Sequence, residues 1–322
     1  MSKIMFIPDV HLTSRSPASR KEDDFEYRKV QYNKLKWCYD YCLSNSINTI
    51  IFEGDLFNNS TELDREQLNE VIQLINSYKE QNIISYTIIG NHDLYYRAED
   101  SNKMLLKTLL YSHTVEHLDK LVLDNCIISG FDYTKPISAV ISHDKYNICV
   151  GHLFYENMMF GNELENTNLT KEKATLLGYD AYVLGHDHSY YPPVIENTYK
   201  VFRHGSLLRG TSKTDNLVRG IKVMVFDDST LSWNEVEVPH KEGKDVFLEE
   251  RFIKKQHQTL NVDNILANLT HNEHSNIYDT IKELESSGKE SLGDSYDLVI
   301  KNITNYLESY GMYNMVGEYN DN

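Results

Sequence analysis

The sequence predicts an α/β protein in which two packed β-sheets are covered by helices. Strand-like and helix-like segments alternate from Lys3 to Ile89, which is the pattern of a parallel sheet. From about Val115 to Tyr133 the segments become short strands, and further strand-like stretches follow as far as Val238. A chain of 322 residues can hold one large domain with an appendage, or two domains.

In the first part of the chain, apolar strands and amphipathic helices follow one another closely. We predict a helix from about Glu26 to Leu43 and a strand from Asn48 to Glu53. Thr61 and Asp64 have the spacing of a capping box, which predicts the start of the next helix. Tyr86 to Ile89 is a run of β-branched and aromatic residues and predicts a buried strand.

The character of the sequence changes near His240, where strand patterns give way to polar and helical ones. We therefore predict a domain of residues 1–240 and a C-terminal cap and helical region of residues 241–322. The helical segments expected in the second part are Val262 to Leu269, Ile277 to Leu284 and Tyr296 to Tyr310.

Composition limits the classes of function. The net charge is −16, from 48 acidic and 32 basic residues, which argues against a freestanding nucleic-acid-binding protein. The apolar run at the N-terminus is too short for a signal peptide, and no stretch approaches the ~20 apolar residues of a membrane span. The four cysteines lack metal-binding or redox spacing. We therefore expect a cytoplasmic protein with reduced, buried thiols.

Five short apolar runs each end in side chains that can bind a metal. Because open α/β sheets place ligands at the carboxyl ends of their strands, we expect these side chains to meet at one edge. Carboxylate, imidazole and amide ligands suit manganese, iron or zinc. The set is large enough for two divalent ions, and its members are Asp9, His11, Asp55, Asn91, His152, His186 and His188.

The arrangement of these residues suggests how two metals would share them. Asp55 is alone in its loop and is the natural bridge, because one carboxylate can give an oxygen to each ion. His186 and His188 are two residues apart, so in an extended segment they point the same way and reach neighbouring ions. We assign one metal to Asp9, His11 and His188, and the other to Asn91, His152 and His186.

A pair of such ions activates water and stabilises an in-line displacement at phosphorus, but the leaving oxygen still needs a proton. His92 lies next to Asn91 and is not needed as a ligand, so it is our candidate general acid. We expect Asp93 or another carboxylate to orient its ring.

Taken in order, the motifs DxH, GD, GNHD, GH and GHxH resemble those of the calcineurin-like metallophosphoesterase superfamily over roughly residues 3 to 240. The resemblance implies a double β-sandwich flanked by helices. The details are similar to SbcD-type DNA nucleases, including those of bacteriophages, in Asp9-Val10-His11-Leu12, Gly54-Asp55-Leu56-Phe57 and Gly205-Ser206. Protein phosphatases of the superfamily carry an arginine after the GD motif, where this chain has Asn58-Asn59. They also carry GNHE, where this chain has Asp93 in place of the glutamate. Some nucleases carry histidine in place of Asn58.

By this resemblance the chain would be a manganese-dependent DNA exonuclease and endonuclease that acts in recombination, repair or replication. It would form a homodimer and pair with an SbcC-type coiled-coil ATPase, in the host cytoplasm if a phage encodes it. Val262 to Tyr310 would contact that ATPase, or would form a helical cap packed on its own domain. The alternatives are a small-molecule phosphodiesterase or phosphatase of the same superfamily, and a scaffold without catalysis.

Several residues near the site motifs have two possible roles. Basic residues there could contact phosphate or simply be solvated; they are Arg15, Arg20, Lys21, Arg203 and Arg209, with His204 beside them. Tyrosines that directly follow site motifs could stack on bases or pack; they are Tyr95, Tyr96, Tyr190 and Tyr191.

Overall fold

The structure, a computed structural model, describes residues 2–96, 101–133, 135–140, 144–156, 167–212 and 214–248. They belong to one compact unit, Met1–Leu248. The three predicted C-terminal helical segments lie outside the described residues. The predicted division at residue 240 therefore stays a prediction.

The elements follow one another in the order that alternating strand and helix patterns predict. The strands are β1 (Lys3–Ile7), β2 (Thr49–Phe52), β3 (Ile84–Thr87), β4 (Glu116–His117), β5 (Lys120–Val122), β6 (Cys126–Phe131), β7 (Tyr146–His152), β8 (Phe154–Tyr155), β9 (Asn168–Leu169), β10 (Ala181–Gly185), β11 (Tyr191–Ile195), β12 (Lys200–Arg203), β13 (Lys222–Asp227) and β14 (Ser232–Glu237). The helices are α1 (Asp24–Ser44), α2 (Arg65–Lys79), α3 (Leu105–Tyr111), α4 (Lys171–Leu177), α5 (Thr214–Val218) and α6 (Gly243–Val246).

Two six-stranded sheets form the centre of the unit. The first has the order β14-β13-β1-β2-β3-β4, in which β1 to β4 are parallel, β13 is antiparallel to β1, and β14 is antiparallel to β13. The second has the order β11-β12-β10-β7-β6-β5, with β6, β7, β10 and β12 parallel. Parallel strands need covered faces, which explains their nearly continuous apolar sequences.

Three hydrophobic clusters join the layers. The first lies between the first sheet and helices α1 to α3, where Leu35 and Ile75 are buried. The second lies between the two sheets and contains Phe6 and Ile51. The third lies on the outer face of the second sheet, with Ala174 of α4. The predicted architecture of two packed sheets flanked by helices is therefore confirmed.

Local signals placed the elements correctly in most cases, but the capping-box prediction is wrong. The second helix is capped by Asp64, whose carboxylate accepts hydrogen bonds from the backbone N–H groups of Glu66 and Gln67. Thr61 lies outside the helix, where its own N–H donates to Asn59. In the described part of the chain, no helix combines the length and apolarity required to cross a bilayer.

The core between the sheets can be tested with Ile51→Ala. Ile51 is fully buried there, whereas Ile195 in β11 is 73% exposed and provides a matched control. Ile51→Ala removes buried methyl groups and leaves a cavity, so its free energy of unfolding should fall by about 2 to 5 kcal/mol. Ile195→Ala should cost less than about 1 kcal/mol. Urea unfolding measures both values, and equal losses would contradict a packed core at Ile51.

Candidate metal centre

The structure brings the seven predicted ligands together at the carboxyl ends of five parallel strands. Asp9 and Asp55 follow β1 and β2, and Asn91 follows β3. His152 ends β7, and the loop after β10 carries the last two histidines. Two groups have ligand atoms within 4.8 Å of one another, with Asp55 in both; they are Asp9, His11, Asp55 and His188, and Asp55, His152 and His186.

The second group has a hydrogen-bond pattern that leaves room for a cation. His152 Nδ1 lies 2.8 Å from the carbonyl oxygen of Glu53, which can only accept, so Nδ1 carries a hydrogen. His152 Nε2 then faces two oxygens, Asp55 Oδ2 at 3.2 Å and Asn91 Oδ1 at 3.0 Å. Nε2 must therefore be protonated, or it must share a positive ion with those oxygens.

The first group shows the same convergence. The Nε2 atoms of His11 and His188 lie 2.8 Å apart, and His11 Nε2 lies 3.6 Å from Asp55 Oδ2. That oxygen is buried and accepts no hydrogen bond, although His152 Nε2 is close to it. A buried carboxylate oxygen without a donor is costly, and a cation would satisfy it. The donor set therefore fits two divalent ions such as manganese, iron or zinc.

Unusual backbone conformations aim these side chains. His11, Asp55 and His186 have φ values of 52°, 48° and 85°, in the left-handed region that non-glycine residues rarely adopt. Such conformations cost about 1 to 3 kcal/mol each and persist where the surrounding structure imposes them. Gly54, with φ of 94°, forms the turn that precedes Asp55.

Backbone donors fix the two carboxylates among the candidate ligands. The N–H of His186 donates to both oxygens of Asp9, at 3.0 and 3.2 Å. The N–H of His92 donates to Asp55 Oδ1 at 2.8 Å, which leaves Oδ2 for other partners. Each carboxylate is thus held by a loop that carries another site residue, and the loops are mutually dependent.

The pKa values of several candidate ligands are shifted far from their ordinary values. Burial raises the pKa of Asp9 to about 8, and the neighbouring Asp55 and Glu53 add to the shift against the opposing effect of His152. Burial alone would raise the pKa of Asp55, yet His152 and His11 hold it below its ordinary range. Burial opposes protonation of His152, but Asp55 and Asp9 raise its pKa to about 10. Burial lowers the pKa of both His11 and His186 to about 3.

His92 is oriented differently from our expectation. Its Nδ1 lies 2.8 Å from the backbone carbonyl oxygen of Asn58, so Nδ1 carries the hydrogen and Nε2 is left for proton transfer. Its ring meets the ring of His11 edge to face, with centroids 4.8 Å apart. The prediction that Asp93 orients His92 is wrong, because that carboxylate accepts from the N–H groups of Phe57 and Gly90.

The sequence did not indicate Glu53, Tyr133 and Phe154 as residues of the site, and for His204 it suggested phosphate contact or solvation. Glu53 and His204 are buried, with His204 Nδ1 3.3 Å from Glu53 Oε1, and they lie behind the candidate ligands. The rings of Phe154 and Tyr133 pack against His186, with centroid distances of 4.3 and 5.3 Å. These residues occupy ordinary strand ends, and only the tertiary packing reveals them.

An open cleft of about 870 Å³ adjoins the centre at His11 and His188. Its lining is rich in hydroxyl and amide groups, and among the described lining residues Arg15 is the one arginine or lysine. Arg20 and Lys21 serve the fold instead. Arg20 pairs with Glu22 at 3.2 Å, and Lys21 Nζ donates to the backbone of Lys244.

Most of the other residues for which the sequence leaves two roles open make contacts within the protein. The guanidinium of Arg203 lies 4.0 Å from the centroid of the Tyr191 ring, and Arg209 is 3% exposed. Tyr190 OH receives a hydrogen bond from Lys222. Tyr96 is 87% exposed and is therefore free to contact other molecules.

Gly90→Ala should disrupt the centre. A Cβ at Gly90 would lie 2.1 Å from Asp55 Oδ1 and 2.4 Å from the backbone nitrogen of Asp55, so the candidate bridging carboxylate must move. We expect at least tenfold weaker Mn²⁺ binding in calorimetric titrations of metal-stripped protein. Gly210→Ala is the matched control, because nothing lies within 4 Å of a Cβ there. Wild-type affinity in both variants would show that the close approach of Gly90 to Asp55 is not needed for metal binding.

Metal affinity should increase with pH. Binding requires Asp9 and His152 to lose protons, and their pKa values in the metal-free protein are raised to about 8 and about 10. Both groups are largely protonated at pH 6, so the apparent affinity for Mn²⁺ should rise by up to about tenfold per pH unit for each proton released. Titrations from pH 6 to 8, in two buffers that differ in ionisation enthalpy, measure affinity and proton release together. A pH-independent affinity without proton release would contradict this account.

The chain is similar to several known proteins. Exonuclease subunit 1 of Enterobacteria phage T4 is 26% identical to this chain over 195 residues, which cover 58% of the chain and 55% of the phage protein. The chain thus spans about half the length of that curated relative.

Among solved structures, a dimetal phosphatase from Danio rerio aligns with a TM-score of 0.42 and 9% identity over 75% of this chain and 97% of its own. The nuclease MPE from Pseudomonas putida aligns with a TM-score of 0.28 and 16% identity over 48% of this chain and 64% of its own. The family model for the calcineurin-like phosphoesterases matches residues 2–190, which include all the candidate metal ligands. The chain belongs to the calcineurin-like phosphoesterase family.

Proposed function

We propose that the chain is a two-metal-dependent DNA phosphodiester hydrolase, acting as exonuclease and endonuclease in recombination, repair or replication. The observation that carries the proposal is the convergence of seven candidate ligands beside an open polar cleft, with His92 left free for proton transfer. Membership of the phosphoesterase family supports the hydrolytic part. The phage T4 relative, which is named an exonuclease subunit, supports DNA as the substrate and a multisubunit complex.

The ligand assignment follows the two groups in the structure. We assign one ion to Asp9, His11 and His188, the other to Asn91, His152 and His186, and the bridge to Asp55. Manganese is the ion we propose, following the resemblance to SbcD-type nucleases, and the carboxylate, imidazole and amide donors suit manganese, iron or zinc. When bound, such a pair of ions activates water and neutralises the charge that develops on the phosphoryl oxygens.

His92 is the proposed general acid. Its Nδ1 hydrogen is engaged by the carbonyl of Asn58, so a proton carried on Nε2 can be delivered to the leaving oxygen of the DNA. Because a backbone carbonyl holds the ring, the identity of the side chain at Asn58 does not affect this role. The ring contact with His11 supports this role, because it brings His92 close to the first ligand group.

The cleft is the proposed path of the DNA strand. Hydroxyl and amide groups along it can bind sugar and phosphate oxygens without regard to sequence, as nuclease substrates require. Arg15 provides the one positive side chain among these lining residues. At about 870 Å³ the cleft is large enough for a segment of a strand, although a volume in this range also accommodates small molecules.

The similarity to the phage T4 protein also bears on possible partners. We propose that the chain forms a homodimer and works with an SbcC-type ATPase. The phage relative is named a subunit, which favours a complex with another protein. The predicted ATPase contact, Val262 to Tyr310, lies outside the described residues.

Replacing His92 should separate chemistry from metal binding. His92→Ala should lower Mn²⁺-dependent cleavage of linear duplex and single-stranded DNA by about 10² to 10⁴-fold, because the leaving oxygen loses its proton donor. Bound Mn²⁺, measured by mass spectrometry, should remain at two ions per chain. His113→Ala is the matched control, since the side chain of His113 is 73% exposed and lies outside the site.

The outcomes separate the candidate functions. Cleavage of bis-p-nitrophenyl phosphate that depends on His92, without any DNA cleavage even when the ATPase is added, would favour a small-molecule phosphodiesterase. DNA cleavage that appears only with the ATPase would support the subunit role. Unchanged rates in His92→Ala would remove His92 as the acid.

A further inference from the structure

A second cavity, of about 280 Å³, lies between α1 and the segments that carry Leu208 and Arg209 and residues 239–246. Among the described residues that line this cavity and the cleft at the metal centre, Leu208 is the one that lines both. Its lining is strongly basic and contains a single carboxylate, that of Glu22; the basic residues are Arg20, Lys34, Arg209, His240 and Lys241.

Lys34 and Arg209 line the cavity without a carboxylate partner in the part of the chain that the structure describes, and the same is true of the exposed Lys241. Arg20 pairs with Glu22, and the nearby Arg219 pairs with Asp215 at 3.3 Å. Lys34 Nζ donates to the backbone carbonyl of Leu207 at 3.0 Å. Arg209 donates to the backbone carbonyls of Lys241 and Arg219. Backbone carbonyls satisfy hydrogens but carry no net charge, so an excess of positive charge remains.

Water has limited access to this excess charge, because Arg209 is buried and Lys34 is half-buried. Arg209 is 3% exposed, and its Nε has no hydrogen-bond partner. The ammonium group of Lys34 has three donor hydrogens, and the structure shows one hydrogen bond from it, to the carbonyl of Leu207. Burial, together with the charges of Arg209, Arg219 and Arg20, lowers the pKa of Lys34 to about 7. The arrangement is costly by itself and would be relieved by an anion.

We propose that this cavity binds a phosphate-type oxyanion against Lys34, Arg20 and Arg209. A phosphate group offers several acceptor oxygens and a negative charge, which match unused donors on two kinds of cation. Its source is either free phosphate, as such or on a nucleotide, or the backbone of a bound DNA strand. The free-phosphate form of the proposal does not rest on the proposed nuclease function.

A purely structural role makes a different prediction. The same cations could serve only to connect α1, the 207–209 segment and the 239–246 segment through backbone carbonyls. In that case Lys34 would matter for stability and not for anions. Replacing Lys34 by methionine keeps the apolar stem and removes the charge, so the two roles can be separated in a folded protein.

The first experiment is a calorimetric titration of the metal-free full-length chain with inorganic phosphate. Chelation of metals removes phosphate binding at the metal centre from the signal. Lys34→Met should weaken phosphate binding at least tenfold, whereas Lys34→Arg should retain it. Lys36→Met is the matched control on the same helix, because Lys36 Nζ pairs with Asp40 outside the cavity. Glu22→Gln removes the single carboxylate of the lining and should tighten binding, which a structural role does not predict.

The second experiment identifies the source of the phosphate. Binding of a fluorescent DNA duplex to metal-free wild-type and Lys34→Met chains is measured by anisotropy at several salt concentrations. If a backbone phosphate occupies the cavity, the slope of log affinity against log salt should fall by about one in the variant. If free phosphate is the ligand, DNA binding should be unchanged while phosphate binding is lost. The proposal is overturned if Lys34→Met alters neither phosphate binding nor the salt slope.

Discussion

The burial of two carboxylates beside one another is the constraint on which the rest of the site depends. Asp9 and Asp55 are both fully buried, and each has a ligand atom within 4.8 Å of the other. Like charges at that distance in a poorly hydrated site repel strongly. The protein compensates by surrounding them with imidazoles and backbone N–H groups, yet one oxygen of Asp55 stays without a donor. Divalent cations complete such an arrangement better than any side chain present.

The same constraint explains why the loops cannot vary independently. Asp55 receives the N–H of His92, Asp9 receives the N–H of His186, and Asp93 receives the N–H groups of Phe57 and Gly90. Apart from the bond between Gly90 and Asp93, which lies within one loop, each bond connects the end of one strand to the end of another. The close approach of Gly90 to Asp55 leaves no space for a side chain. Positive φ angles at three candidate ligands are therefore imposed by this network, which holds them against their local preference.

The sequence predicted the parallel strands and the polar residues at their ends, because apolar runs that end in polar residues report directly on strand ends. The assignment of those residues as metal ligands stays a prediction. Three features were not predictable for a common reason. The Asn58 carbonyl that orients His92, the Asp64 cap and the buried pair of Glu53 and His204 all depend on contacts between distant segments or on exact backbone geometry. A capping-box spacing at Thr61 and a carboxylate beside His92 were plausible local signals. Tertiary structure overrode both.

The distribution of charge bears on how such a chain would hold DNA. With a net charge of −16, long-range attraction to a polyanion is weak, and Arg20 and Lys21 are bound within the fold. Arg15 alone provides a lysine or arginine charge among the described residues that line the cleft. Under the proposed function, phosphate recognition by the chain itself would depend on ions bound at the centre and on local cations, rather than on a basic surface along the cleft. A proposed nuclease with so few cations along its cleft needs positive charge from elsewhere, and the proposed ATPase partner would supply it by binding DNA.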